Sequence, residues 1–414
     1  MELTPEERGI LAGRSGEPVR RSFEMQIAAG EFFGAGRMVP VTSAHLTGDP
    51  ESMGDAGLRF VEDLCGRGAR FVIPTTTNPR NVDFALYREL GQTEEIARRE
   101  RRLRDLVVAM GAVPVDTCAN YQTVYPPRFG EHLAWGDTGA VIYANAVAGA
   151  RSNFEGGPAS YAAALTGRVA AYGMHLDECR LGTHLIDVAD QPRSVSDWGA
   201  LGCFVGRRLT NYWLVPVFAG IEAQPSADAL KQLGATLASY GSLAMFHVVG
   251  VTPEARTVNE AFGGQAPRET IDVSPGGLAG VYRSFEPERE HVDLVVFGTP
   301  HLSLFEVRDL ATMLKGRTVH PRTVLLLTMS AGVKALADQF GYTRAIEASG
   351  GKMITGVCYY IMTPRELSRV HGFRTIVTDS AKLANIIAAY GYNPIFRATP
   401  ECVEAAISGR SVVR

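Results

Sequence analysis

The sequence predicts an α/β protein built from several mostly parallel domains, and three observations carry that expectation. Short apolar runs recur along the 414 residues, and each stops at a loop rich in Cys, Ser, Thr, Asn or Lys. Segments of helical periodicity stand between these runs, and such alternation implies parallel strands joined by helical crossovers. Hydrophobic content of 46% and charged content of 21% are those of an ordinary globular chain. Its length suggests roughly two or three domains.

Thr4 as N-cap, Pro5 in the first helical position and Glu6 and Glu7 in the first turn predict a helix start. Helical periodicity continues to Gly30, and Val39 to His45 reads as a strand and loop. Gly54 to Gly66 reads as a helix with Leu58, Val61 and Leu64 on one face. It feeds a strand from Arg70 to Pro74, which ends at the polar run Thr75 to Asn78. Glu94 to Met110 is an arginine-rich helix with a solvated face. Val113 to Asp116 reads as a strand ending at Cys118, and Ala140 to Tyr143 as another leading on to Arg151. Ala159 to Gly167 is a small-residue helix that permits close packing. Asp228 to Tyr240 is a helix followed by a strand between Gly241 and Gly250. Thr252 to Glu290 is rich in Pro and Gly and reads as an irregular connection. The expected division is therefore an N-terminal α/β region over 1–251, divisible into two subdomains, the connection 252–290, and a C-terminal α/β domain over 291–414. In the last, runs starting at Val292, Thr323, Met353 and Thr375 end at Gly298–His301, Thr328–Ser330, Cys358 and Thr378–Lys382.

A net charge of −3 gives no electrostatic reason to expect nucleic acid or an anionic membrane as partner. No apolar run approaches the ~18 residues of a membrane span. The first residues are acidic with no apolar core, so a cytoplasmic location is expected. Six cysteines with no CxxC pair do not make a disulfide framework. Cys65, Cys179, Cys203 and Cys402 fall in segments that read as helix or core, where free thiols are common.

Cys118 and Cys358 differ because they stand at strand ends, and α/β proteins bind ligands outside the carboxyl ends of their strands. Two such thiols far apart in sequence suggest a metal or iron–sulfur site, with His301 and His45 as candidates to complete it. Lys382 lies in the first turn of a helix opened by Asp379 or Ser380. A cation there opposes the helix dipole, which is easier to explain if it faces an anionic ligand. Arg151 offers the paired hydrogen bonds that clamp a carboxylate.

Laid out in this way, the chain resembles the large subunit of the aconitase X family from near its N-terminus almost to its C-terminus. The likeness is carried by Ser43–His45, Gly54–Gly57, Thr75–Asn78, Cys118–Gln122, Gly149–Gly157, Phe246–Glu254, Gly298–His301, Cys358 and Ser380–Lys382. The resemblance implies an aconitase-like arrangement of α/β domains around a central cleft. It implies a hydro-lyase acting on cis-3-hydroxy-L-proline, as in bacteria, or on 5-phosphomevalonate, as in archaea. It further implies iron, mononuclear or in an iron–sulfur cluster, and a separate small swivelling-domain subunit that carries a catalytic serine. Three departures stand out: Thr299 where the family has a cysteine ligand, Gly356-Val357 before Cys358 in place of Asp-Thr, and Asp379 in place of Asn.

The expectation is thus a dehydratase of a small hydroxy acid, with cis-3-hydroxy-L-proline placed first because the Ala- and Arg-rich composition suggests a bacterial source. Asn78, Glu155 and Lys382 are the expected catalytic residues. His45, Thr75, Thr76, Arg151, Ser152 and Ser380 are expected to bind substrate, and Cys118, Cys358 and His301 to hold metal as Lewis acid. Competing expectations are a 5-phosphomevalonate dehydratase, a cluster-less relative with other lyase, isomerase or cyclase chemistry, and a binding protein that has lost catalysis.

Overall fold

The computed structural model describes residues 1–411. Three parallel sheets organise it, as the alternation of apolar runs and helices predicts. The N-terminal sheet orders Thr75–Thr77, Ala44–Leu46 and Ala134–Trp135, with Ala44 opposite both Thr75 and Ala134. The middle sheet orders His247–Val248, Pro216–Ala219, His184–Val188 and Glu269–Val273. The C-terminal sheet has five strands, in the order Lys352–Thr355, Val324–Met329, Leu294–Leu302, Thr375–Thr378 and Asn393–Phe396. A short antiparallel pair, Met38–Pro40 with Arg168–Ala170, closes the N-terminal unit. No helix among the described residues is long and apolar enough to cross a membrane.

Local signals set most helix starts. Thr4 Oγ1 accepts from the Glu7 N–H at 3.2 Å while the Glu7 carboxylate accepts from the Thr4 N–H at 2.8 Å, so helix Pro5–Leu11 begins where its capping box stands. Helix Pro50–Gly66 starts four residues before the expected Gly54. Asp49 caps it, and Gly54 forms a kink inside it with φ 60°.

Several expected strands take other forms. The backbone of Phe71 and Val72 donates to Met110 and Ala164, at the ends of two helices, so residues 70–73 find no strand partner; the Pro74 carbonyl accepts from Ala44 and the paired strand is Thr75–Thr77. Ala140–Tyr143 lies in helix Thr138–Ala146, because Asp137 caps the Ala140 N–H at 3.0 Å. A short run buried all round reads alike as helix or strand. Val113 makes only an isolated bridge to Thr76, and within Gly241–Gly250 only His247 and Val248 pair.

The expected irregular connection 252–290 holds strand Glu269–Val273, which runs in register with His184–Val188, and helix Gly277–Arg283. It therefore belongs to the middle unit. Only Ile271 and Val273 of that edge strand are buried, which leaves too few apolar positions to register as a strand signal.

Helices Val195–Gly206 and Ala227–Gly241 of the middle unit approach closely over glycine; a Cβ on Gly202 would lie 2.9 Å from the Leu233 carbonyl oxygen. From the second helix Lys231, fully buried, reaches the C-terminal unit. Its ammonium pairs with Asp228 at 3.0 Å and with Glu306, and donates to the His301 carbonyl at 3.2 Å. Lys231→Ala would leave two carboxylates buried without their cation. The variant should lose about 3–5 kcal/mol in urea unfolding, against well under half that for an exposed pair such as Lys334 with Asp338.

Candidate active site

The carboxyl ends of the N-terminal and C-terminal sheets face one another. From the first come His45, Thr76, Asn78, Cys118 and Asp137; from the second come Thr299, His301, Cys358, Ser380 and Lys382. The strand Leu294–Leu302 makes this possible by losing register with its neighbour between Phe297 and Leu302. Gly298, at φ 128°, allows that break, since a Cβ there would fall 2.0 Å from Thr328 Oγ1.

Four hydrogen bonds bind the two thiol loops together. The His301 N–H donates to Cys118 Sγ at 3.2 Å, and Thr299 Oγ1 lies 3.0 Å from Cys358 Sγ. His301 Nε2 is 2.9 Å from the Val357 carbonyl, which can only accept, so Nε2 carries the proton. Nδ1 then accepts from Thr117 Oγ1 at 3.0 Å. Ser380 Oγ donates to the Thr299 carbonyl and accepts from the Leu383 N–H at 3.1 Å, so one hydroxyl caps helix Ala381–Ile387 and fixes Thr299. Gly356, at φ 69°, lets Arg80 pass; a Cβ would meet Arg80 Nη2 at 2.7 Å. Arg80 donates to the Thr355 carbonyl and pairs with Asp116 at 2.9 Å.

Burial sets the charges. It pushes the Cys118 thiol up, assisted by Asp137, and the Cys358 thiol up to about 11. It lowers His45 and His301 to about 4, so both are neutral at ordinary pH. Burial alone would lower the Lys382 ammonium, but the nearby Asp137 carboxylate carries it above its ordinary value. A Cβ on Gly139 would lie 3.2 Å from Asp137 Oδ1 and 3.6 Å from Lys382 Nζ, so acid and ammonium approach the same point. Lys382 makes no ion pair within 4 Å among the described residues. His45 Nδ1 meets Thr76 Oγ1 at 2.8 Å, while its Nε2 and the neighbouring Asn78 Oδ1 make no well-formed hydrogen bond.

The expected residues thus divide. Cys118, Cys358, Lys382, His45 and Asn78 converge, with Thr76 and Ser380 holding members of the group. Thr75 turns back to the Ile73 carbonyl at 2.9 Å. Arg151 is spent on the His175 carbonyl and Asp177. Ser152 is buried between the Trp135 N–H and the Asn153 carbonyl. Burial raises Glu155 to about 7, and the groups that feel its charge are Tyr172 and Tyr212 rather than Lys382. Asp379 accepts from Thr399 at 2.8 Å, away from the thiols.

His301 does not serve as a metal ligand here, because both ring nitrogens are engaged by protein. Among the described residues no group of three His, Cys, Asp or Glu side chains is placed to hold a metal. Thr299 brings a hydroxyl, not a third thiol, to within 3.0 Å of Cys358 Sγ. Two thiols, Cys118 and Cys358, remain at the strand ends as soft donors of the kind that iron accepts.

Three family models match in succession: the aconitase X first domain over 1–178, the second over 182–283 and the third over 292–408. The chain belongs to the aconitase X family. The phosphomevalonate dehydratase large subunit of Thermococcus kodakarensis is 37% identical over 395 residues, covering 95% of this chain and 96% of that one. The cis-3-hydroxy-L-proline dehydratase of Pseudomonas aeruginosa is 37% identical over 410 residues, covering 98% of this chain and 70% of that one. The crystal structure of Thermococcus kodakaraensis aconitase X in its holo form superposes with a TM-score of 0.88 at 35% identity, covering 98% and 100% of the two chains.

Two groups at this aconitase X centre escaped sequence reasoning. Asp137 was missed because its helix was read as a strand, which concealed its role as cap. Arg80 and Asp116 were missed because their pairing spans 36 residues and one odd backbone turn, Asp116 at φ 47°.

Neutral His45 and His301, at about 4 against an ordinary 6.5, bind fewer protons when folded than unfolded between those values. Stability is then full above pH 6.5 and falls as pH drops toward 4. Urea midpoints should fall from pH 7 to pH 5, on the order of 1–2 kcal/mol per histidine. His301→Gln should flatten part of that slope; an unchanged slope would mean that His301 binds protons equally in the folded and unfolded chain.

Proposed function

We propose that this chain is the large, catalytic subunit of a dehydratase acting on cis-3-hydroxy-L-proline. The single observation that carries the substrate choice is the count of available cations. Among the described residues Lys382 is without an ion pair, while Arg80 and Lys231, the other cations near the thiols, are neutralised by Asp116 and by Asp228 with Glu306. One cation suits a monocarboxylate. A phosphorylated substrate brings two anionic groups and would leave one of them unpaired in a buried site.

Lys382 would bind the substrate carboxylate, held in place by the opposing pull of Asp137. His45 is the chain's own proton carrier: neutral, fixed at Nδ1 by Thr76, and open at Nε2 beside Asn78. Elimination removes the proton next to the carboxylate and the hydroxyl on the adjacent carbon, giving water and a cyclic enamine acid that becomes the imine. Cys118 and Cys358 are the residues that would hold iron, which when bound supplies a Lewis acid for the departing hydroxyl. Thr299 hydrogen-bonds Cys358 and sets the direction of its sulfur. A small swivelling subunit, as the names of the large-subunit relatives suggest, would close the cleft and bring a further proton-accepting group.

The phosphomevalonate reading competes, since relatives with that printed name are equally similar. Incubation of the chain with its small subunit and each substrate decides between them. Release of the cyclic imine acid from cis-3-hydroxy-L-proline is expected; turnover of 5-phosphomevalonate alone would overturn the proposal. Lys382→Met should lower kcat/KM about 10²–10³-fold, whereas Arg151→Gln, already tied to Asp177, should retain most activity.

Metal analysis addresses the thiols separately. Iron should be lost in Cys118→Ser and Cys358→Ser, and Thr299→Cys should gain the visible absorption of an iron–sulfur cluster.

A further inference from the structure

A cavity of about 280 Å³ lies between the N-terminal and middle units, lined by Phe33, Asn153, Phe154, Tyr172, Tyr212 and Trp213. Five of its six lining residues are aromatic, and their rings are ordered. Phe33 stacks on Tyr172 with centroids 4.4 Å apart and planes at 6°, and Trp213 stands edge-on to Tyr212 at 4.9 Å and 84°. Phe154 meets Tyr212 at 5.5 Å and 78°. Tyr212 donates its hydroxyl to Asn153 Oδ1 at 2.5 Å, which fixes the ring and occupies the one amide oxygen in the lining. Phe33 and Trp213 remain 44% and 43% exposed, so the box is open to solvent on one side.

The residue after Phe154 is Glu155, only 7% exposed. Its carboxylate makes no hydrogen bond or ion pair among the described residues, yet it lies close enough to oppose ionisation of both Tyr172 and Tyr212. The positive charge that Tyr212 also feels, Arg180, is already held by Glu254 at 2.5 Å and 2.9 Å. No Lys, Arg or His lines the cavity. Aromatic faces carry negative potential and attract cations. A buried carboxylate without a partner adds the same sign, and the lining offers no cationic side chain to favour an anion.

We propose that this aromatic box binds a small organic ammonium ion, with Glu155 as its counter-charge. The cavity lining shares no residue with the thiol and Lys382 centre, and the proposal stands whether or not the dehydratase assignment holds. The volume suits a tetramethylammonium-sized head group rather than a metal ion, which would need oxygen ligands that the rings do not offer.

The test uses the purified chain at pH 8, above the value of about 7 to which burial raises Glu155. Tetramethylammonium chloride is titrated by calorimetry and by tryptophan fluorescence, with tert-butanol as a neutral probe of similar shape and sodium chloride as the ionic-strength control. Tetramethylammonium should bind at least about tenfold more tightly than tert-butanol and change the fluorescence. Glu155→Gln should weaken it about tenfold, and Trp213→Leu, a change at the surface, should weaken binding and remove the fluorescence response while the unfolding midpoint holds. Equal binding of the two probes, no binding of tetramethylammonium, or full binding by a folded Glu155→Gln or Trp213→Leu variant would overturn the proposal.

Discussion

Everything at the cleft depends on the side chain of His301. It belongs to the C-terminal sheet, yet one ring nitrogen is held by Thr117 of the N-terminal unit and the other by Val357, while its backbone N–H holds Cys118. Such bonds in a dry interior are strong only when every partner is satisfied. Here both ring nitrogens are, and the ring stays neutral because burial forbids the charge. The two thiols thereby acquire fixed positions without any covalent link between the units.

Around this neutral cross-link the site concentrates its charge in two groups, Lys382 and Asp137. Both are buried, and neither reaches the other closely enough to form an ion pair. A cation so placed keeps binding capacity for an anion from outside, whereas the nearby Lys231 has none, since Asp228 and Glu306 consume it. Lys231 serves the site by position instead, tying the middle unit to the His301 carbonyl. One buried lysine braces and the other is available, and the difference lies in the carboxylates within reach.

Much of the fold was legible in the sequence. The N-cap at Thr4, the small-residue helix near 159–167 and the four C-terminal strand–loop units all formed where their local signals stood. Errors gathered where local signals are weak. Ala140–Tyr143 is apolar enough for either helix or strand, and the edge strand Glu269–Val273 buries only two side chains. Among site residues, Cys118, Cys358, Lys382, His45 and Asn78 converge as expected. Arg151, Ser152, Thr75 and Glu155 do not, because a motif shows which side chains are close in sequence and says nothing of which hydrogen bonds they have already made.

By itself the sequence determined the class of fold, the family, and the presence of reactive groups at strand ends, since periodicity, caps and unusual strings are local properties of the chain. Only the tertiary structure decided which of those groups are available. His301 is taken up by two loops distant in sequence, Thr299 presents a hydroxyl to Cys358, and Asp137 shares its space with Lys382. Each outcome depends on burial and on partners tens to hundreds of residues away, and these exist only once the three sheets are packed.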